Sequence, residues 1–419
     1  MTAKVNKKPI SFFYKNIVIM FRGTIIAQII AVLVGIYLAK LYGEEAYGYL
    51  GFFISITSIA SIIGTLQLDN CIITSNTKEE STNWFNFILI IIPIIIIFLF
   101  ILLHLFSKLI IFERLNSIIF LLSLVGSVVI TYNLTHQSLF TFQKKFSILS
   151  NSKIFAAIFN VLFQYILYAF YNILGLIIGL LISQLVLLSY NFYINNKHIK
   201  SINFKEVKKG FKSNNTLIKF LLPSNIINSF ANNLMPILIL TFFGAEKAGV
   251  YFFSIKILAT PLFLISSSIS QVYFRESSEL VVKKNDELFS ITKKIVISNL
   301  IIMLSFLLII NTLGIYILNL YFENQWKDLN SFILILSFLI LAKSSFNPIS
   351  SLIIVLNKNL IGLMFNCYLF LINVVAIYYG TLYNNILYTV IILSLFGGIG
   401  YYIMLYYFFN HLKYDKINV

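Results

Sequence analysis

The sequence predicts an all-α polytopic membrane protein of about 12 transmembrane helices, and three observations carry that prediction. Of the 419 residues, 59% are hydrophobic and 11% charged, with a mean hydropathy of +0.90, whereas a soluble domain carries about 25% charged residues. Apolar runs longer than about 18 residues recur along the whole chain, each long enough to cross a bilayer. The basic residues fall mostly between those runs. In hydrocarbon each backbone N–H and C=O must be satisfied within its own segment, so runs of this length cross as helices.

Composition also excludes whole classes. The two cysteines, Cys71 and Cys367, lie in or beside apolar segments with no Cys/His partner spacing, which removes a disulfide scaffold and a structural zinc site. The net charge of +16 would fit nucleic acid, but it sits in short loops between spans, where it orients a membrane protein; no nucleic-acid partner is expected. No Walker loop, metal-ligand set or nucleophile with its base occurs, so neither an enzyme nor a cofactor is expected. The Lys-rich start (Lys4, Lys7, Lys8, Lys15) leads into the first apolar run without a small-residue cleavage site, and that run is expected to stay in the membrane.

Cutting at charge clusters and turn residues places the spans at roughly 17–41, 46–73, 85–107, 115–139, 154–172, 173–194, 217–243, 248–273, 295–321, 330–356, 359–380 and 384–410. The fifth and sixth are divided only by Tyr171-Asn172 ahead of Leu174-Gly175. Alternate loops, beginning with the N-terminal tail, hold most of the 31 Lys and Arg residues, while the opposite loops hold Lys40, Lys108, Arg114, Lys247 and Lys327. Positive charge stays inside, so both termini are expected to be cytoplasmic. The longest loop, 195–216, carries Lys197, Lys200, Lys205, Lys208, Lys209 and Lys212 against one acid, Glu206. It divides the chain into an N-lobe (1–194), a basic linker and a C-lobe (217–419).

The midpoint is also a symmetry point. Tyr42-Gly43-Glu44-Glu45-Ala46-Tyr47-Gly48 after the first span matches Phe243-Gly244-Ala245-Glu246-Lys247-Ala248-Gly249 after the seventh, both aromatic-Gly-x-Glu-x-x-Gly, at a shift of 201 residues. Asn116-Ser117, Ser123, Asn133 and Lys144 reappear as Asn330-Ser331, Ser337, Asn347 and Lys358 at a shift of 214, the difference being assigned to a longer loop over Arg275 to Lys294. Two six-helix lobes related by a parallel repeat follow, an arrangement of transporters that bind substrate near mid-membrane.

Charged residues inside spans are costly, at least about 2.5 kcal/mol at the bilayer centre, and face a cavity, a partner or the surface. Four occur: Arg22, Asp69, Lys256 and Lys343. Arg22 and Asp69 lie at similar depth and leave two readings open, an interhelical pair or snorkelling on one side, and a group that meets an anionic headgroup on the other. Lys343 near the midplane and Lys256 have no membrane acid in their half to neutralise them, which implies a hydrated, positive cavity. Asn225, Asn228, Ser229, Asn232 and Asn233 form one polar stripe on span seven, with Asn133, His136 and Gln137 on span four, Asn347, Ser350 and Ser351 on span ten, and Thr24 and Gln28 on span one. Each can instead join helices together, at about 0.6–2 kcal/mol. His104 reads as interfacial packing. Pro93, Pro223, Pro236, Pro261 and Pro348, in or at the edges of spans, permit bending.

From Ile36 to Phe53, IYLAKLYGEEAYGYLGFF following a Lys-rich tail and Arg22, the sequence resembles the Wzx-type polysaccharide flippases, O-antigen translocases of the multidrug/oligosaccharidyl-lipid/polysaccharide exporter superfamily. The resemblance implies two lobes in a V shape around a central cationic cavity, and alternating-access transfer of an undecaprenyl-pyrophosphate-linked oligosaccharide across the bacterial cytoplasmic (inner) membrane. It implies membrane lipids as partners, with a polysaccharide polymerase and a chain-length regulator beside them. Such proteins carry basic residues in helices one, two, eight and ten; Arg22, Lys256 and Lys343 stand in the first, eighth and tenth, while the second offers Asp69. On this reading Arg22, Lys256 and Lys343 would attract pyrophosphate or acidic sugars, with Asp69 tuning the site and Gln28, Asn133, Asn225, Asn228, Asn232 and Asn347 meeting sugar hydroxyls. Two alternatives share the architecture: lipid II-type flippases, which usually carry two further helices, and drug/cation antiporters, which generally rely on membrane acids.

Overall fold

A computed structural model describes residues 8–75, 77–107, 117–195, 203, 207, 222–283, 285–323 and 325–414. All regular structure among them is helical. In chain order the helices are α1 Lys8–Thr65, α2 Asp69–Thr74, α3 Lys78–Ser107, α4 Ser117–Phe142, α5 Phe146–Tyr171, α6 Gly175–Asn195, α7 Leu222–Phe243, α8 Ala245–Lys283, α9 Asn285–Ile309, α10 Ile315–Phe322, α11 Leu329–Phe346, α12 Leu352–Val355, α13 Asn359–Leu382 and α14 Ile386–Tyr414.

Nine segments among the described residues are long and apolar enough to cross a membrane. Two of them, Arg22–Thr65 (44 residues) and Phe146–Asn195 (50 residues), are too long for one crossing, which takes about 20 residues, and each is interrupted. Gly43, at φ 77°, breaks α1, a backbone geometry that glycine alone adopts without a Cβ penalty. Asn172, at φ 45°, ends α5, and a 3-10 turn over Asn172–Leu174 leads into α6. With α8 added, these segments account for all twelve expected spans.

The expected loop over Arg275 to Lys294 is instead helical, because α8 runs to Lys283 and α9 starts at Asn285. Loss of hydropathy marks where a helix leaves lipid, whereas its hydrogen-bond ladder continues while the sequence favours it. The basic loop 195–216 lies outside the described residues except for Asn203 and Val207.

The chain packs as two compact units, one of residues Met1–Leu38 and Ile56–Pro223, the other of Ala39–Ser55 and Ser224–Val419. In the first, α3 buries Trp84, Phe85, Ile88, Ile92, Ile96 and Phe100 while Ile90, Ile94, Phe98 and Ile101 are exposed. That is a helical 3–4 spacing in which the outward face is as apolar as the inward one, as lipid requires. The α5–α6 hairpin is drawn tight at Gly179, where a Cβ would lie 2.6 Å from the backbone nitrogen of Gln164, and the Gln164 side chain donates to Leu176 O at 2.9 Å.

The second unit centres on Phe346, Phe365, Tyr401, Met404 and Phe408, from α11, α13 and α14. Segment 39–55 belongs to it because the two repeated turns pack on each other. A Cβ on Gly48 would lie 2.0 Å from Ala245 O, and one on Gly249 would lie 1.8 Å from Glu44 O. At the 201-residue shift Gly48 matches Gly249 and Glu44 matches Ala245, so this is one backbone contact made twice. Gly244, at φ 91°, turns α7 into α8 as Gly43 turns the two halves of α1.

Candidate functional site

Lys343 lies in the last turn of α11. Its Nζ donates to Asn232 Oδ1 of α7 at 2.8 Å. Asn232 Nδ2 in turn donates to Asn228 O at 2.8 Å and Asn228 Oδ1 at 2.7 Å. Asn228 and Asn232 are exposed and Lys343 is half-buried. Amides and an ammonium facing hydrocarbon would lack partners, so this face of the unit is a wetted one. An ammonium has three N–H donors; one is used here, and two remain for a ligand. The helix ends beside it at Asn347–Ile349, a 3-10 turn with Pro348 at its start, and the Asn347 N–H donates to Lys343 O.

The rest of the span-seven stripe divides. Asn233 turns to its own helix, donating to Ser229 O at 2.9 Å, and Ser229 is buried. Asn225 is half-buried about one turn before Asn228. The helical spacing therefore brings Asn232 to Lys343 with Asn228 behind it, while Ser229 and Asn233 lie on an adjacent face.

Lys256, on α8, is held by an aromatic ring. Its Nζ lies 5.6 Å from the centroid of Tyr47, which is 1% exposed and meets Phe253 and Trp326 edge-on at 5.2 and 5.6 Å. Among the described residues the ion pairs are Lys40 with Glu323 at 3.2 Å and Lys247 with Asp328; Lys256 and Lys343 have no acid. Tyr47 and Trp326 were invisible as site residues in the sequence, although Tyr47 sits inside the repeated turn.

The first unit treats its polar residues differently. Asn133 is 2% exposed; its Nδ2 donates to Gln184 O and Oε1 at 2.9 and 3.0 Å, and its Oδ1 accepts from Asn191 Nδ2 at 3.0 Å. It ties α4 to α6 and has little left for a ligand. His136 is buried between Phe85 and Phe192, with Nδ1 at 2.8 Å from Tyr132 O.

Arg22 is exposed on α1 and Gln28 half-buried further along it. Between them Gly23 packs on Ser150, where a Cβ would meet Oγ at 2.1 Å, and Thr24 accepts from Lys153 Nζ at 2.9 Å. Lys153, read from sequence as a loop residue, is thus a half-buried cation of α5 against α1. Asp69 is not in a continuous second span. The helix stops at Thr65, Leu66 and Gln67 take positive φ, and Asp69 opens α2, where a helix N-terminus favours a carboxylate. No ion pair between Arg22 and Asp69 occurs among the described residues.

This fold is shared with solved membrane transporters. The lipid II flippase MurJ in an inward closed conformation superposes with a TM-score of 0.73 at 14% identity, covering 93% of this chain and 87% of that one. An inward-facing multidrug resistance MATE family transporter of the MOP superfamily gives 0.68 at 14% identity over 93% and 96%, and a MOP superfamily transporter from Pyrococcus furiosus 0.62 at 14% over 96% and 97%. At these identities the likeness is one of fold: an all-α, multi-pass membrane architecture shared with transporters. No curated protein sequence matches. The sequence profile of the family described as "Polysaccharide biosynthesis protein" matches residues 37–331, well over half of the chain. The chain belongs to that family.

Proposed function

We propose that the protein is a flippase that moves an undecaprenyl-pyrophosphate-linked oligosaccharide, an O-antigen or similar surface-polysaccharide repeat unit, from the cytoplasmic to the periplasmic leaflet of the bacterial inner membrane. The reading has both termini in the cytoplasm, alternating access as the mechanism, and a polymerase and chain-length regulator receiving the product. The observation that carries it is Lys343, a cation without an acid among the described residues, held by Asn232, which is itself held by Asn228, with donors to spare. A pyrophosphate offers the charge-assisted acceptors those donors lack, and the amides suit sugar hydroxyls.

Family membership supports a role in polysaccharide synthesis, and the likeness to MurJ supports lipid-linked cargo. Two cations that have no acid among the described residues disfavour a cationic drug. For the Pyrococcus furiosus transporter, reverse polarity of the binding pocket is said to suggest a different function, which shows one fold serving pockets of different charge. In cells lacking the gene, completed prenyl-linked repeat units should accumulate on the cytoplasmic leaflet while surface polysaccharide is lost. The intact gene should reverse this and a Lys343→Ala copy should not. Surface glycan that stays intact without the gene would sink the flippase reading.

A further inference from the structure

We propose that Tyr47 is a positioning residue that couples closure of the paired glycine turns to the occupancy of Lys256. The proposal rests on reading Lys256 as a cation that meets anionic substrate.

Tyr47 belongs to segment 39–55, whereas the groups around it belong to 224–419. Its ring packs edge-on against Phe253 and Trp326, which also touch each other at 4.6 Å, and has Lys256 Nζ 5.6 Å from its centroid. The ring cannot leave Lys256 without segment 39–55 moving, because the next residue, Gly48, is in backbone contact with Ala245. The same segment is fastened at its other side by Lys40 to Glu323 at 3.2 Å, and by the Trp326 backbone N–H directed at the Glu44 carboxylate. Glu323 and Trp326 thus hold the turn on one side, while Lys256 meets Tyr47 on the other.

An ammonium facing a ring is attracted by the ring's quadrupole alone, and a phosphate oxygen offers full negative charge and hydrogen-bond acceptance. An anion that takes Lys256 therefore draws it off Tyr47 and removes one of the contacts that keep the turns together. By reciprocity, parting the turns frees Lys256 for an anion. A ligand shifts such an equilibrium only by its differential affinity for the two states, and the ring contact, present only when the turns are closed, supplies that difference.

The test uses full-length protein in lipid nanodiscs with Cys71→Ser and Cys367→Ser, carrying Lys40→Cys and Glu323→Cys. The rate of joining that pair by a short bis-methanethiosulfonate reports closure of the turns. Inorganic pyrophosphate should slow cross-linking several-fold with Tyr47 present, and equally in Tyr47→Phe, which keeps the ring. Tyr47→Leu and Lys256→Gln should cross-link at a rate indifferent to pyrophosphate; the second leaves Tyr47's packing in place and so covers a folding failure of the first. Pyrophosphate that binds by calorimetry yet leaves cross-linking unchanged in the Tyr47 protein, or that slows Tyr47→Leu and Lys256→Gln equally, overturns the coupling while sparing the flippase reading. Absence of pyrophosphate binding overturns the cationic reading and the coupling with it.

Discussion

Two asparagine networks, one in each unit, are built in opposite ways. In the first, Asn133, Gln184 and Asn191 exchange hydrogen bonds across α4 and α6 in a buried network. In the second, Asn228 and Asn232 lie exposed and their chain of hydrogen bonds ends on Lys343. The first is joinery centred on Asn133, whose amide nitrogen and oxygen both have partners on α6, and a buried amide so bonded locks helices together. The second, among the described residues, leaves two N–H donors of the Lys343 ammonium without a partner, which is what the proposed anionic substrate would take up. Polarity in a membrane span therefore does not identify a binding site; the account of donors and acceptors does.

The largest test of that contrast is charge removal at Lys343. Losing a charge-assisted contact to a phosphate, about 1.5–3 kcal/mol, corresponds to about tenfold to a hundredfold, and Lys343→Ala should lower transport into that range with unchanged membrane abundance and melting temperature. Asn232→Asp should do similar damage by a different route, because a carboxylate at 2.8 Å would neutralise the cation in place. Transport by a well-expressed Asn232→Asp protein at the parental rate would show that the positive charge is not used.

Asn133→Leu should behave in the converse way. It strands the Gln184 and Asn191 groups that now bond to it, and an unsatisfied buried polar group costs about 1–3 kcal/mol. The expected result is a lower melting temperature in detergent and reduced abundance, with transport per folded molecule close to parental. Loss of transport without loss of stability would move Asn133 from joinery to the site and erase the distinction between the units.

Much of this was legible in the sequence, for reasons that differ by residue. All twelve spans were readable because hydrocarbon imposes a length and a composition. The repeat was readable because Gly43 and Gly244 each take a positive φ that strains any other residue, and Gly48 and Gly249 each admit a neighbouring backbone where a Cβ would clash. Lys343 and Lys256 stood out by cost alone. What stayed hidden depends on rotation about helix axes and on partners distant in sequence. Asn133 and Asn232 look alike in sequence, and only packing buries one and exposes the other. Tyr47 looked like one apolar residue among many, and Lys153 like a loop lysine. Asp69 was read inside a span because the break at Leu66 and Gln67 contains neither Gly nor Pro, so no turn signal marked it.

The smallest expected effect sharpens the comparison most. Asn232→Ala leaves Lys343 charged and removes only the acceptor that orients it, a single hydrogen bond on an exposed face. A long ammonium side chain loses rotamer freedom when it is held, and removing its holder returns that freedom to the unbound protein. The penalty for ordering then falls on substrate binding rather than on folding. Asn232→Ala should therefore raise the substrate concentration at half-maximal transport about threefold, leave the maximal rate near parental, and leave the melting temperature unmoved. Asn133→Ala, the same chemical change in the other unit, should instead lower the melting temperature and leave the half-maximal concentration alone. If both substitutions moved the same quantity, the two networks would be doing one job, and the exposed Asn228–Asn232–Lys343 chain would be joinery that happens to face water.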